Sequence, residues 1–172
     1  FFCSAVLSCA VALPFLVKDH LRAEVGALGL LFSMSSLGSV LGALWLGRWS
    51  RIRRRGWIAY GAWAMLGLMT LALGLPLPVV GAASAVLGTG LALAVVNLVL
   101  TNVMQEIVPR DLLGRVASID YVGSWVFLPA GYALTGWATD LIGAPPVFII
   151  GGALTIGLSA LGLAHPAIRN LD

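Results

Sequence analysis

The sequence predicts an all-α integral membrane protein, a bundle of six transmembrane helices. Hydrophobic residues make up 60% of the chain and charged residues 10%, whereas soluble domains carry roughly 45–50% apolar and about 25% charged residues. The mean hydropathy is +1.01, so the chain has too little charge to cover a water-facing surface. The lipid bilayer is therefore its predicted solvent.

Six apolar stretches supply the helices, and short breaks that contain charge, Pro or both separate them. A spanning helix needs about 20 residues at 1.5 Å each, and its backbone polar groups must be satisfied within the span. We therefore predict helices over residues 1–17, 25–46, 57–75, 79–104, 116–139 and 147–164. Because the chain starts within apolar sequence, we expect it to begin inside a helix.

Basic residues are shared unevenly between the two predicted ends of the bundle. The breaks after the second and fourth helices, with the C-terminal tail, carry eight Lys and Arg residues, whereas the opposite end carries Lys18 and Arg22. The positive-inside rule makes the eight-residue end, and with it the C-terminus, cytoplasmic. Because the basic residues lie in short gaps rather than on one continuous face, we expect no nucleic-acid partner.

A short internal repeat ends the second and fifth predicted helices. Gly42 and Gly47 are followed by Ser50, and Gly131 and Gly136 are followed by Thr139. If helices one to three correspond to helices four to six, equivalent helices cross the membrane in opposite directions. Two inverted three-helix repeats of this kind are typical of secondary transporters. Chance similarity in a glycine-rich chain is the alternative interpretation.

The break after the fourth helix carries a family resemblance. Its sequence, Gln105-Glu-Ile-Val-Pro-Arg-Asp-Leu-Leu-Gly-Arg-Val-Ala-Ser118, resembles the loop between helices ten and eleven of the major facilitator superfamily, in particular its drug, macrolide and siderophore efflux branch. The following residues, 128–143, are similar to helix eleven of that branch. The resemblance implies that the whole chain is helices seven to twelve, half of a twelve-helix fold, with the N-terminal half absent.

The chain departs from that family in the break after the second helix. The family pattern there places an Asp before its basic residues, whereas this chain has Ser50 or a deletion at that position. The basic residues themselves are kept. This departure argues against gating through this loop in the way of the family. The prediction of the fold does not depend on it.

The resemblance implies secondary active transport, specifically proton-coupled efflux of small amphipathic molecules by alternating access. It implies a multi-pass protein of the cell (inner or plasma) membrane that is not an enzyme and needs no cofactor. An inactive truncated half or a membrane scaffold is the alternative function. An intramembrane enzyme is the least favoured, because it would need a nucleophile and a histidine at matching depth, and His20 and His165 lie at opposite edges. Neither histidine belongs to a candidate metal cluster.

Candidate substrate-cavity residues lie on the fourth and fifth helices. Asn97 and Thr101 share one face with Gly90, Ala94 and Gln105. An uncovered amide in hydrocarbon is costly, so Asn97 faces either a transport cavity, as the resemblance implies, or another helix through a hydrogen bond.

On the fifth helix, Tyr121 and Trp125 lie on one face with Leu128 and Tyr132. They suit stacking and cation–π contact with a bulky cation, and packing or lipid contact is the alternative. Asp120, the one acid within a predicted span, is the candidate for proton or ion coupling. It lies about 6 Å inside the helix start, so pairing with an arginine or reaching the interface is the alternative.

The loops and two prolines complete the candidates. Arg48, Arg51, Gly114 and Arg115 are candidates for a cytoplasmic loop that takes part in gating. The arginine-rich loop is also a determinant of topology and could contact anionic lipid. The two intrahelical prolines are candidate points of helix bending: Pro14 and Pro129.

Overall fold

The computed structural model describes residues 12–17, 25–48 and 55–164, apart from the side chains of residues 25, 124, 125 and 127. Every regular element in these ranges is a helix, which confirms the all-α prediction. The helices are α1 (residues 12–17), α2 (Val25–Gly47), α3 (Arg55–Leu73), α4 (Val79–Ile107), α5 (Leu113–Ile142) and α6 (Ala144–Ala164).

Four of the described helices are long and apolar enough to cross a membrane: α2, α3, α4 and α6. This confirms a multi-pass membrane protein. The 30-residue α5 is not among the four, because Asp120, Pro129 and several small or aromatic residues lower its hydropathy. Six spanning helices arranged as two inverted repeats stay a prediction.

Helices α2 and α4 run parallel and meet backbone to backbone. A Cβ atom on Gly42 would lie 2.6 Å from the carbonyl oxygen of Leu91, and one on Gly38 would overlap the carbonyl of Leu87. The segment from Gly38 to Gly42 is a Gly-x-x-x-Gly sequence. In lipid, where apolar side chains gain little by leaving the solvent, close contact between small residues holds helices together. The absence of side chains at these positions is therefore what permits the α2–α4 contact.

One hydroxyl group adds a polar link to the same contact. The Oγ of Ser39 donates to the carbonyl of Ser35 on its own helix at 3.1 Å and to the carbonyl of Gly90 on α4 at 3.2 Å. Interhelical hydrogen bonds in membranes contribute about 0.6 kcal/mol each on average. Ser39 therefore fixes the register of the contact more than it adds to its stability.

Helices α3 and α6 form a second close contact and run antiparallel. A Cβ atom on Gly152 would lie 2.6 Å from the carbonyl oxygen of Gly67. At one end of the pair Gly162 lies against the ring of Tyr60, and at the other Gly74 lies against Pro145. The C-terminal end of α6 is therefore beside the start of α3.

A sharp turn connects α5 to α6. Gly143 has φ 83°, a left-handed conformation that favours glycine. Its N–H donates to the carbonyl of Thr139 at 2.9 Å and closes the end of α5. A single residue, Gly143, consequently separates α5 from α6.

Two buried clusters show which helix ends lie together. At one end, Phe148 is fully buried among α1, the start of α2 and the ends of α3 and α4 that adjoin the break between them. At the other, Leu46 near the end of α2, Ala59 near the start of α3 and Val99 towards the end of α4 pack together. The described residues next to the two basic breaks and the C-terminal end of α6 thus share one end of the bundle, here called the basic end; its cytoplasmic orientation stays a prediction.

The α2–α4 contact can be tested with two matched glycine substitutions on α2. We expect Gly38→Ala to lower the free energy of unfolding by roughly 1–3 kcal/mol, because the added methyl group overpacks the interface with Leu87. Gly29→Ala is the control, since nothing lies within 4 Å of a Cβ there, and it should be neutral or stabilising by up to about 1 kcal/mol. Denaturation midpoints in detergent measure both. Equal effects at the two positions would contradict the contact.

Candidate functional site

The structure divides the small and polar stripe of α4 into two parts. Gly90 and Ala94 pack against α2, where a Cβ on Gly42 would lie 3.3 Å from that of Ala94. Asn97 and Thr101, further along α4, are exposed. The division follows from α2, which covers the first part of the stripe and leaves the second part open.

The amide of Asn97 is satisfied only in part within the described chain. Its Nδ2 donates to the carbonyl of Leu93, one turn earlier on the same helix, at 3.0 Å. The hydrogen bond predicted as an alternative, to another helix, is not found among the described residues. A second N–H and the Oδ1 oxygen of Asn97 therefore have no partner among the described residues.

Asn97 lies in the second half of α4. It precedes Ile107, the last residue of the helix, by ten residues, or roughly 15 Å. Thr101 and Gln105 are exposed on the following turns. Polar groups thus follow one another along α4 towards the basic end, which is costly against hydrocarbon and favourable against water or a polar ligand.

The polar and aromatic candidates on α5 do not pack into the described bundle. Tyr121 is 66% exposed and Tyr132 38% exposed, while the side chain of Trp125 lies outside the described residues. Asp120 is exposed too, and no described arginine forms an ion pair with it. Among the described helices, α5 has its main contact with α6. Its first half is therefore open to a ligand, to lipid or to another protein segment.

An ion pair at the basic end was not anticipated from the sequence. The Nη1 of Arg55, at the start of α3, pairs with the Oε2 of Glu106, near the end of α4. The side chains are 24% and 61% exposed, so the pair contributes at most about 1 kcal/mol. The pair matters for geometry more than for stability, because it holds the arginine-rich break beside the break that follows α4. The sequence did contain a signal for this pair: Glu106 is the one acid near the end of an apolar helix, on the side of the arginine-rich break.

The loop candidates lie apart from that pair. Arg48 is exposed just beyond α2, and Gly114 and Arg115 are exposed in the first turn of α5. The Oγ of Ser118 donates to the carbonyl of Gly114 at 2.8 Å. Neither Arg48 nor Arg115 forms an ion pair with a described carboxylate, and Arg51 lies outside the described residues. The sequence-predicted gating residues are thus at the basic end without being assembled into one cluster.

The two prolines differ in their surroundings. Pro14 is exposed in α1, where the helix widens into a π-type turn at residues 16–17. A widened turn beside a proline agrees with the missing backbone donor. Helix α5 continues through the exposed Pro129 without interruption. Among the described residues no cluster of His, Cys, Asp and Glu could hold a metal ion.

Comparison with known proteins gives one match. Residues 1–168 match the sequence model of the Major Facilitator Superfamily, nearly the whole chain. No curated protein and no solved structure matches the chain.

The ion pair can be tested by charge reversal. We expect Arg55→Glu and Glu106→Arg each to lower stability by roughly 0.5–1 kcal/mol, since each places like charges together, and the double variant to recover most of the loss. The differences should shrink at 1 M salt, where screening acts over about 3 Å. Denaturation midpoints in detergent report the values, with Arg115→Glu as a control. Additive losses in the double variant would show that the two side chains do not interact.

Proposed function

The chain belongs to the Major Facilitator Superfamily, and we propose that it forms helices seven to twelve of a transporter that exports small amphipathic molecules in exchange for protons. Membership supports membrane transport in general, rather than catalysis. The resemblance of residues 105–143 to the efflux branch supports the narrower assignment.

The open polar face of α4 is the observation that carries this proposal. Asn97 and Thr101 are exposed on a helix that is otherwise largely apolar. Transport folds place their binding site near the bilayer midplane, between two helical bodies. A face with a partly satisfied amide, about 15 Å from the helix end, suits one wall of such a site.

The described contacts also provide a rigid body for alternating access. Contacts through glycine join α2 to α4 and α3 to α6, and α3 packs against α4 as well. Two helix pairs are therefore each held by close backbone contacts that tolerate little deformation, and the packing of α3 on α4 joins the pairs. In the proposed mechanism this body rocks against the N-terminal half, and substrate is exposed to one side of the membrane and then to the other.

Asp120 and Tyr121 are the proposed groups on the second wall. Both are exposed on α5, the helix that lies outside the glycine contacts. A carboxylate can carry a proton or attract a cationic substrate, and an aromatic ring can bind an amphipathic cation through its face. Coupling through Asp120 would make proton uptake compete with binding of a cation.

The α4 wall can be tested with two asparagines of the same helix. In cells that express the full-length protein, we expect Asn97→Ala to lower efflux of a recognised substrate about fivefold, the equivalent of one lost hydrogen bond of about 1 kcal/mol. Asn102→Ala is the control, because Asn102 is also exposed on α4 but lies about 140° around the helix from Asn97. Efflux rates are compared at equal membrane expression. Equal rates for both variants would remove Asn97 from the site.

The coupling role of Asp120 can be tested separately. We expect Asp120→Asn to abolish the dependence of efflux on an imposed pH gradient, because an amide does not take up a proton at physiological pH. Asp140→Asn, near the opposite end of α5, is the control and should keep that dependence. A pH response unchanged in Asp120→Asn would assign coupling to other groups. If the wild type exports no substrate of a broad panel, the alternative function, an inactive half or scaffold, is favoured. The absence of the family's Asp in the arginine-rich loop, where this chain has Ser50 or a deletion, also supports that alternative.

A further inference from the structure

A cleft of about 460 Å³ lies between the last two turns of α2 and the middle of α4. Its lining consists of Leu41, Leu44 and Trp45 from α2, Arg48 just beyond α2, and Leu91 from α4. Arg48 is the one charged lining residue. The volume is within the range of ligand pockets, about 300–1,000 Å³.

The cleft is amphipathic along the direction of the membrane normal. From Leu41 to Arg48 the lining extends over seven helical steps along α2 and the residue after it, or roughly 10 Å. The apolar part, which includes Leu44 at 63% exposure, points towards the middle of the membrane. Arg48 lines the cleft at the basic end together with Trp45, a residue type enriched at the membrane interface.

The charge at the mouth of the cleft favours an anionic group. Within the described residues Arg48 has no carboxylate partner, in contrast to Arg55, which pairs with Glu106. In the sequence, Arg51, Arg53 and Arg54 follow within six residues of Arg48. Clustered arginines at the end of a membrane helix attract anionic lipids. An occupant with an anionic head at Arg48 and hydrocarbon along the leucines meets both requirements.

The cleft is separate from the proposed substrate face. Leu91 and Asn97 are six residues apart on α4 and therefore lie about 120° apart around the helix. The part of α4 that packs against α2, at Gly90 and Ala94, lies between them. A ligand in the cleft would leave the polar face of α4 free.

We propose that this cleft binds one anionic phospholipid, with the phosphate on Arg48 and an acyl chain along Leu41, Leu44 and Leu91. The binding is independent of efflux, because it requires neither the α4 polar face nor a second half of the transporter. The lipid would fill the groove between α2 and α4, with its headgroup at the basic end. A bound headgroup would thereby add a contact at the end where the basic breaks meet.

The test titrates purified full chain in detergent with phosphatidylglycerol and, separately, with phosphatidylcholine, and counts retained lipid by native mass spectrometry. We expect Arg48→Gln to weaken phosphatidylglycerol binding about five- to tenfold and to leave phosphatidylcholine binding unchanged. Arg48→Lys should keep most of the affinity. Arg115→Gln, which removes one exposed charge from the same end, should change the affinity less than about twofold.

Three results would overturn the proposal. Equal losses in Arg48→Gln and Arg115→Gln would indicate attraction to the surface as a whole. Displacement of the lipid by glycerol phosphate, which has the anion and no acyl chain, would indicate a simple anion site. A dimer whose formation Leu44→Gln abolishes would place a second copy of the chain in the cleft. Because no arm of the experiment measures transport, failure here leaves the efflux proposal unaffected.

Discussion

Backbone contact between helices through glycine is the constraint on which the rest of this bundle depends. In lipid, burying a leucine between helices gains little, so helices associate where small residues let many atoms approach closely. Gly42 against Leu91 joins α2 to α4, and Gly67 against Gly152 joins α3 to α6. Packing of α3 on α4 links the two pairs into one body. Any side chain at these glycines would separate helices that have no other strong attraction.

The same contacts decide which surfaces stay open. Because α2 covers Gly90 and Ala94 of α4, the polar side chains at Asn97 and Thr101 emerge just beyond the contact. On the other side of the α2–α4 contact, the two helices leave the cleft that Leu91 lines. Helix α5 has no close glycine contact among the described residues: positions such as Gly114 and Gly136 face open space. It is accordingly the most exposed helix, and the one whose polar and aromatic residues are available to a ligand.

Much of the architecture could be predicted because hydropathy is a local property. The apolar stretches begin at Val25 and Val79, where α2 and α4 begin, and a chain that crosses a membrane repeatedly must alternate its ends. The candidate site was harder to predict. The stripe from Gly90 to Gln105 looked like one face with one role, but half of it packs against α2 and half is open. Helical periodicity places residues on a face without saying how far along it a neighbouring helix extends.

The sequence by itself determined that the protein lies in a lipid bilayer and is helical. Through its match to the family it also determined the general role in transport. These follow from composition and short motifs, which need no knowledge of what packs against what. Only the tertiary structure decided which glycines are contacts, since Gly38 packs and Gly29 does not although both lie on α2. It alone paired Arg55 with Glu106 across 51 residues and set Arg48 at the mouth of an apolar cleft. Such juxtapositions depend on the angle and register of packed helices, which no single segment encodes.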